Sequence, residues 1–137
     1  MKDKMNRNSA EGVRWLEQGM RDLEDARILA EAGSHASACF HCQQAAEKAL
    51  KGFLYSKGLR AILTHSVTRL MEECSKFENF PCLLEEAMEL DRHYIGSRYP
   101  NFYPEGPAYK YYTEEMAERC IGYATSILEE VEKFLKG

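Results

Sequence analysis

The stretch His41–Leu54, HCQQAAEKALKGFL, decides the fold of this chain. Its apolar residues recur at helical spacing on more than one side, and its alanines are small and strong helix formers. Neighbouring helices can therefore approach it closely. The polar residues set among the apolar ones are Gln43, Gln44, Glu47, Lys48 and Lys51. The stretch predicts a central, partly buried helix with a polar stripe, and the role of that stripe is the main question.

Length and charge limit the classes of protein to which the chain can belong. With 137 residues it is long enough for one domain, which we expect to span residues 1–137. Its 18 Lys and Arg against 22 Asp and Glu give a formal charge of −4, so nucleic-acid binding would need a local basic patch. No apolar run approaches the roughly 18 residues that span a bilayer, and the N-terminus lacks the apolar segment of a signal peptide. We expect a soluble, cytoplasmic protein without membrane contact.

Five cysteines, an odd number, are scattered through predicted helix interiors, which does not fit a secreted disulfide framework. We expect reduced thiols. The segment Cys39-His41-Cys42 places two cysteines on one helix face, like a fragment of a metal site, but zinc needs further ligands and no second motif supplies them. Buried cysteines in a helix core are the favoured interpretation, and neither a metal nor a cofactor is expected.

Periodicity and capping signals predict the first two helices as a hairpin with a very short turn. Residues 1–8 are charged and polar, and we expect them to be disordered. The predicted bounds are Ser9 to about Ala32 for the first helix, with Gly33 as the turn, and about His35 to Lys57 for the second, with Gly58 as its stop. Two antiparallel helices follow from this pattern.

The second half of the chain combines helices with an aromatic loop. A third helix is predicted to begin at Thr64, His65 or Ser66, and a fourth to begin at Pro81 and end near Gly96. Residues 94–112 hold three of the four prolines and six of the eight tyrosines, which predicts an ordered loop. Thr113, followed by two glutamates, is the predicted N-cap of a last helix that runs to the C-terminus. No segment alternates with a period of two, so no strand is predicted.

The order of these features resembles the minimal prokaryotic HEPN domain. The residues that carry the resemblance are QQAAEKALKGFL after a helical hairpin with a Gly turn, Thr64-His65-Ser66 at the start of the next helix, and SRYPN at residues 97–101. The resemblance implies an all-α, up-and-down antiparallel helical bundle of four long helices plus one shorter helix, commonly dimeric. Such proteins are often encoded beside a minimal nucleotidyltransferase, and many are implicated in nucleotide binding or in RNA cleavage within toxin–antitoxin pairs.

The chain departs from the ribonuclease branch of that family at the catalytic motif. That branch carries Arg-(x)4–6-His late in the bundle, and here no histidine follows Arg98. Histidine is the side chain best matched to proton transfer at pH 7, so we expect no activity by the usual mechanism. A literal Arg-x4-His, Arg60 to His65, precedes the third helix, where His65 is also explained as a residue that caps or orients the helix start. His93 is a further catalytic alternative, although its charge also suits a helix C-terminus.

Arg98, Tyr99 and Asn101 are the strongest local candidates for ligand binding. An arginine offers a rigid set of donors suited to phosphate, and tyrosine rings can stack on a base. The competing interpretation is that Arg98 pairs with an acidic residue of the bundle and that the loop closes against the core. Aromatic loops are also good interface material, so dimerisation or partner docking is a third explanation.

A second candidate surface lies on the second helix, where Gln44, Lys48 and Lys51 share a face. Either lysine could bind phosphates beside Arg98, and we therefore expect Lys48 or Lys51 to share a cleft with Arg98. The plainer interpretation is a solvated face on which Glu47 pairs with Lys51 at the favourable i, i+4 spacing.

Three hypotheses for the function remain open on the sequence. The first is a non-catalytic HEPN-type module that binds a nucleotide or a minimal nucleotidyltransferase partner, in a toxin–antitoxin-like pair. The second is a metal-independent ribonuclease toxin that uses His65 or His93. The third is a structural homodimer that acts as a scaffold.

Overall fold

A computed structural model describes residues 6–137 of the chain. Within that range the structure has helices and no strands, which confirms the all-α prediction. The α-helices are α1 (Arg7–Glu31), α2 (His35–Ser56), α3 (Val67–Cys74), α4 (Leu84–Asp91), α5 (His93–Gly96) and α6 (Glu114–Lys136). The third and fourth helices are shorter than expected, with 8 residues each, so the described bundle is built on α1, α2 and α6.

The helical hairpin at the start of the chain follows the predicted bounds with one correction at its beginning. Helix α1 starts at Arg7 because Asn6 caps it, its side-chain oxygen accepting a hydrogen bond of 2.8 Å from the backbone N–H of Ser9. Ser9 is therefore inside the helix and is not its cap, and residues 6–8 are ordered; the remainder of the predicted disordered segment, residues 1–5, lies outside the described residues. Gly33, at φ 85°, makes the predicted turn into α2.

Helix α2 lies at the centre of the bundle, as its alanine-rich sequence predicts. It contacts α1, α3, α4, α5 and α6, and buried side chains occupy several of its sides. The ring of Phe53 lies 4.6 Å from that of Phe80 and within 5.5 Å of the rings of Phe77 and Phe134, measured between centroids. Burial of such a residue contributes roughly 1.5–3 kcal/mol, so this aromatic cluster is a main source of cohesion.

Two glycines allow α1 and α2 to approach each other at the level of their backbones. A Cβ atom added to Gly12 would lie 2.6 Å from the carbonyl oxygen of Gly52, and one added to Gly52 would lie 2.7 Å from that of Gly12. Real Cβ atoms do not come this close to an oxygen. The pair therefore sets the distance between α1 and α2.

The carboxylate of Asp91, the last residue of α4, binds the first turn of α3. It accepts hydrogen bonds from the Ser66 hydroxyl at 2.9 Å and from the backbone N–H groups of Val67 and Thr68, both at 2.8 Å. Ser66 is the N-cap of α3, as one of the three predicted starts had it. A carboxylate at this end satisfies orphan N–H groups and complements the helix dipole.

The predicted fourth helix from Pro81 to Gly96 is wrong at its start and in its continuity. Pro81 precedes the helix, which begins at Leu84, because Asn79 takes a positive φ of 71° and turns the chain first. The helix then breaks after Asp91, whose carboxylate is engaged by α3, and a short helix, α5, starts at His93 with that side chain buried.

The aromatic loop after α5 is ordered by its own tyrosines. It contains two short 3-10 helices, Pro100–Phe102 and Ala108–Tyr111. The rings of Tyr103 and Tyr111 stack with centroids 4.2 Å apart, and the Tyr103 hydroxyl donates to the carbonyl of Gly96 at 2.7 Å.

Thr113 caps α6 as predicted, accepting a hydrogen bond of 3.2 Å from the N–H of Met116. Among the described helices, none has the length and apolarity needed to cross a membrane.

Candidate functional site

The polar stripe of α2 is buried at its centre. Lys51 donates to Glu47 over 3.0 Å, and each residue is only 6% exposed. The predicted i, i+4 pair is thus confirmed, whereas the interpretation of this pair as a solvated surface is wrong. The cause is the central position of α2, since α3 and the segment before it cover this side of the helix.

His65 is held by the same buried carboxylate. Its Nδ1 lies 3.0 Å from Glu47 Oε2, while its backbone carbonyl accepts a hydrogen bond of 2.8 Å from the side-chain amide of Gln43. Gln44 in turn donates to the amide oxygen of Gln43 at 2.8 Å. The His65 side chain is nevertheless 59% exposed. One side of the His65 ring is therefore held by the buried Glu47 carboxylate, while the rest of the ring is open to solvent. The N-cap of α3 is Ser66 and not His65.

Arg98 and His65 meet on the ring of Tyr94. The imidazole of His65 stacks on that ring with centroids 5.4 Å apart and planes at 16°, and Cζ of Arg98 lies 5.1 Å from the same centroid. Cζ of Arg98 is also 4.3 Å from the ring of Phe40 and 5.2 Å from that of Tyr99. We call Phe40, His65, Tyr94, Arg98 and Tyr99 the aromatic–arginine surface.

The charge of Arg98 is not neutralised within the described part of the chain. Its Nε and Nη2 donate to the backbone carbonyl of Tyr94 at 2.9 and 2.6 Å, which fixes the guanidinium. Among residues 6–137 no carboxylate oxygen lies within 4.0 Å of it, so the pairing with an acidic residue weighed on the sequence is not seen. An exposed guanidinium held over aromatic rings, with donors to spare, is a competent site for a phosphate or another anion.

The structure does not bring all the candidate ligand-binding residues together. Lys51 binds Glu47, which in turn contacts His65 of the aromatic–arginine surface. Gln44 is linked to His65 through the side chain of Gln43. Lys48 lies against α1, where its ammonium binds the carboxylate of Asp22. Asn101 lies exposed in the 3-10 helix Pro100–Phe102, close to Arg98 in sequence.

Arg60 lies away from His65, although the two are only five positions apart. Its guanidinium donates to the carbonyl of Leu59 at 2.7 Å and to the side-chain oxygen of Asn8 near the start of α1. The literal Arg-x4-His motif is therefore not assembled as a pair in the structure.

His93 is only 4% exposed and lies among polar groups from three other elements. Its Nδ1 is 2.7 Å from the Tyr112 hydroxyl and its Nε2 is 3.3 Å from Glu89 Oε2. Burial lowers the pKa of His93, but hydrogen bonds and charges from Cys120 and Glu89 outweigh it, so the pKa lies above its ordinary value. Such burial removes His93 from contact with a macromolecular substrate.

The cysteines of α2 are buried as predicted, and they do not form a site with His41. The ring of His41 bonds to the carbonyl of Ser37 at 2.9 Å. Cys39 instead lies beside His93 and Cys120, with the sulfur and ring-nitrogen atoms of the three side chains all within 4.8 Å of one another. The hydrogen bond with Cys39, together with burial, raises the pKa of the Cys120 thiol.

Sequence reasoning missed Phe40, Tyr94 and the role of Glu47 in orienting His65. Tyr94 lies more than 40 positions from Phe40 and Glu47, and each of the three has an ordinary explanation on its own helix. The one local signal was spacing: Phe40, Gln44 and Glu47 recur at three- and four-residue steps, and so mark one face of α2 beside Lys51.

The fold and the arrangement of its motifs define a class of protein. The HEPN domain pattern matches residues 13–134, and the chain therefore belongs to the HEPN family. The resemblance inferred from QQAAEKALKGFL and SRYPN is thereby confirmed.

Relatives with known sequences or structures agree with this assignment. The Methanocaldococcus jannaschii protein named "Putative toxin MJ1304" is 28% identical over 132 residues, which cover 89% of this chain and 86% of that protein. The crystal structure of TT1696 from Thermus thermophilus has a TM-score of 0.84 and 39% identity, covering 90% of this chain and 97% of that one. That of ST0689, described as an archaeal HEPN homologue, has a TM-score of 0.76 and 41% identity, covering 92% and 98%.

Proposed function

We propose that this protein is a non-catalytic HEPN module that binds a nucleotide, free or at an RNA end, through the aromatic–arginine surface. In this proposal it docks a minimal nucleotidyltransferase and acts in a toxin–antitoxin-like pair. The observation that carries the proposal is the geometry of Arg98, a fixed guanidinium without an acidic partner in the described residues, in contact with three aromatic rings.

Arg98 supplies the recognition of phosphate in this proposal. The carbonyl of Tyr94 accepts hydrogen bonds from Nε and Nη2 of Arg98, which leaves Nη1 free to donate to a phosphate oxygen. Because the side chain is already held in place, binding loses little of its conformational entropy. Arg98 thus provides a local positive site in a protein whose net charge is −4.

The rings of Phe40, Tyr94 and Tyr99 supply the recognition of a base. Stacking of a base on an aromatic side chain is worth about 1–3 kcal/mol and depends little on the identity of the base. The exposed His65 ring adds a nitrogen that can donate to the ligand. We therefore expect the surface to bind nucleotides with different bases at similar affinity.

The lysines of α2 contribute less than their sequence spacing suggests. Lys48 is left out of the proposed site because Asp22 already neutralises it. Lys51 and Gln44 act indirectly, because they hold the groups that position His65. Lys51 binds the Glu47 carboxylate, and Gln44 binds the Gln43 amide. Asn101 is retained as a polar contact at the edge of the surface.

The proposed partner and setting rest on the family and on one relative. The relative from Methanocaldococcus jannaschii bears the name "Putative toxin MJ1304", and the family resemblance implies a nucleotidyltransferase encoded nearby. The loop after Arg98 offers a matching interface, because Tyr99, Phe102 and Tyr109 are exposed on it. Exposed aromatic residues are enriched in protein interfaces, and we expect the same loop to serve either the nucleotidyltransferase or a second copy of the chain.

Isothermal titration with ATP, GTP and a short RNA tests the ligand half of the proposal. We expect measurable binding that Arg98→Ala weakens at least tenfold. The matched control is Arg119→Ala, which removes an exposed arginine of α6 for which no aromatic contact is seen, and which should leave the affinity within about twofold. Absence of heat with all three ligands, or equal loss in both variants, would overturn the proposal.

A metal-independent ribonuclease is the second candidate, favoured by the contact between Glu47 and His65. A buried carboxylate that orients an exposed imidazole is the arrangement of a general base. His65 would take the proton of an RNA 2′-hydroxyl as its oxygen bonds to the phosphorus and the P–O5′ bond breaks. Solvent water would protonate the departing 5′-oxygen, while Arg98 stabilises the added negative charge. RNA cleavage by the wild type that His65→Ala abolishes and His41→Ala preserves would replace the first candidate with this one.

A further inference from the structure

Three metal-ligand side chains meet in the interior of the bundle, and none of them belongs to the aromatic–arginine surface. Cys39 comes from α2, His93 from α5 and Cys120 from α6. Their ligand atoms lie within 4.8 Å of one another, and their exposure is 0%, 4% and 1%. Three donors from three separate helices therefore converge on one buried point.

We propose that Cys39, His93 and Cys120 bind a thiophilic divalent metal ion, with Zn²⁺ as the best match, and that the Tyr112 hydroxyl or a water molecule completes the coordination. Two sulfurs and one imidazole are a donor set that zinc uses in sites with a fourth, exchangeable position. Harder cations such as Mg²⁺ and Ca²⁺ prefer oxygen donors, which makes them poor competitors here.

The spacing of the donors suits a tetrahedral ion after a small inward movement. With Zn–S near 2.3 Å and Zn–N near 2.0–2.1 Å, ligand atoms in a tetrahedral site lie about 3.4–3.8 Å apart. None of the separations in the protein is above 4.8 Å, so each pair of donors has to approach by at most about 1.4 Å on binding the ion.

The surroundings of His93 match those of a metal-binding histidine. Glu89, one turn earlier on α4, places Oε2 3.3 Å from His93 Nε2. Carboxylates commonly hold the second nitrogen of a metal-bound imidazole in this way. Nδ1 is then the nitrogen that faces the metal, and the Tyr112 oxygen, 2.7 Å from Nδ1, lies next to the same point.

Tyr112 lies between the cluster and the protein surface. This residue and Ser97 line a surface pocket of about 540 Å³ between the start of α2 and the 3-10 helix Ala108–Tyr111. Rotation of the Tyr112 side chain would connect the pocket with the cluster. Binding exchanges the two thiol protons of Cys39 and Cys120 for the ion and releases them to solvent.

The test is a Co²⁺ titration of the reduced, tag-free, full-length protein, because Co²⁺ reports its ligands by absorption. We expect one Co²⁺ per chain, a thiolate-to-metal charge-transfer band in the near ultraviolet, ligand-field bands typical of a tetrahedral ion, and loss of all bands when Zn²⁺ is added. Metal analysis of protein purified without chelators should find Zn²⁺ close to one per chain.

Matched cysteine variants separate this site from unspecific thiol binding. Cys39→Ser and Cys120→Ser should each lower the affinity for Co²⁺ at least a hundredfold. Cys42→Ser and Cys74→Ser remove equally buried thiols outside the cluster and should preserve the bands. Because a buried substitution can also disturb the fold, circular dichroism accompanies each variant.

Two results would overturn the proposal. One is a folded wild-type protein that shows no charge-transfer band in excess Co²⁺. The other is a count of three free thiols instead of five after denaturation of protein purified without reductant. In this case reductant restores all five, and Cys39→Ser and Cys120→Ser each prevent the loss. That result would show that Cys39 and Cys120 form a disulfide in place of a metal site.

Discussion

Glu47 Oε2 lies 3.0 Å from His65 Nδ1, so a carboxylate buried in the central helix fixes the direction of a ring on the surface. The same oxygen accepts the hydrogen bond of Lys51, also at 3.0 Å. A buried ion pair and an exposed imidazole therefore depend on one carboxylate. Substitutions of Glu47 or Lys51 in α2 should therefore change the orientation of the His65 ring on the aromatic–arginine surface.

Replacement of Glu47 should be strongly destabilising. Glu47→Gln keeps the size of the side chain but leaves Lys51 buried without a negative partner, and we expect a loss of about 3–5 kcal/mol in the free energy of unfolding. Urea denaturation measures this loss. The double variant Glu47→Leu with Lys51→Met, which removes both charges, should recover most of it; a single variant within about 1 kcal/mol of the wild type would show that the pair is effectively solvated.

The ring of Tyr94 should matter for ligand binding and its hydroxyl should not. Tyr94→Phe keeps the surface that His65 and Arg98 contact, so nucleotide affinity should stay within about twofold. Tyr94→Ala removes that surface and should weaken binding by one stacking contribution, about 1–3 kcal/mol, or roughly five- to 150-fold. Isothermal titration of both variants checks this, and equal affinities would place the ligand elsewhere.

Addition of a methyl group at Gly52 should destabilise the protein although alanine favours helix. The new Cβ would lie 2.7 Å from the Gly12 carbonyl oxygen, and we expect Gly52→Ala to cost about 1–3 kcal/mol by forcing α1 and α2 apart. Gly122→Ala is the control, since nothing lies within 4 Å of its Cβ position, and it should stabilise α6 by roughly 0.5–1 kcal/mol. Thermal unfolding of the two variants should therefore shift in opposite directions.

Loss of the Asp91 carboxylate should loosen the start of α3. Asp91→Ala leaves two backbone N–H groups and the Ser66 hydroxyl without their acceptor, at a cost of about 1–3 kcal/mol. Amide hydrogen exchange at Val67 and Thr68 should accelerate more than at α6. Glu85→Ala, an exposed change in the same helix, is the control, and similar exchange in both variants would contradict a capping role for Asp91.

The parts of the fold that were predictable from the sequence are those set by local signals. The alanines of α2, the turn at Gly33 and the cap at Thr113 each act within a few residues, and the structure has them as expected. The predicted bounds of the fourth helix were wrong. Its start depends on the left-handed turn at Asn79 and its end on the Asp91 carboxylate that binds α3, and neither leaves a periodic pattern in the sequence.

Single members of the candidate site were predictable, but the way they come together was not. Arg98 and Tyr99 were recognisable because an arginine suits phosphate and a tyrosine ring can stack on a base. The contacts of His65 with Glu47 and Tyr94, in contrast, depend on how segments distant in sequence pack. The cluster of Cys39, His93 and Cys120 was hidden for the same reason. Its ligands have no motif spacing, since each helix supplies one.

The contact between Gly12 and Gly52 has a consequence for the drift of this sequence over generations. Either glycine alone is blocked from gaining a side chain by the other's carbonyl oxygen, so a substitution at one position is accepted only with a compensating shift of the whole helix. Among descendants that keep this shape, we expect both positions to change rarely, because the obstacle is a backbone oxygen that no substitution removes. The surrounding solvent-facing residues of α1 should vary freely.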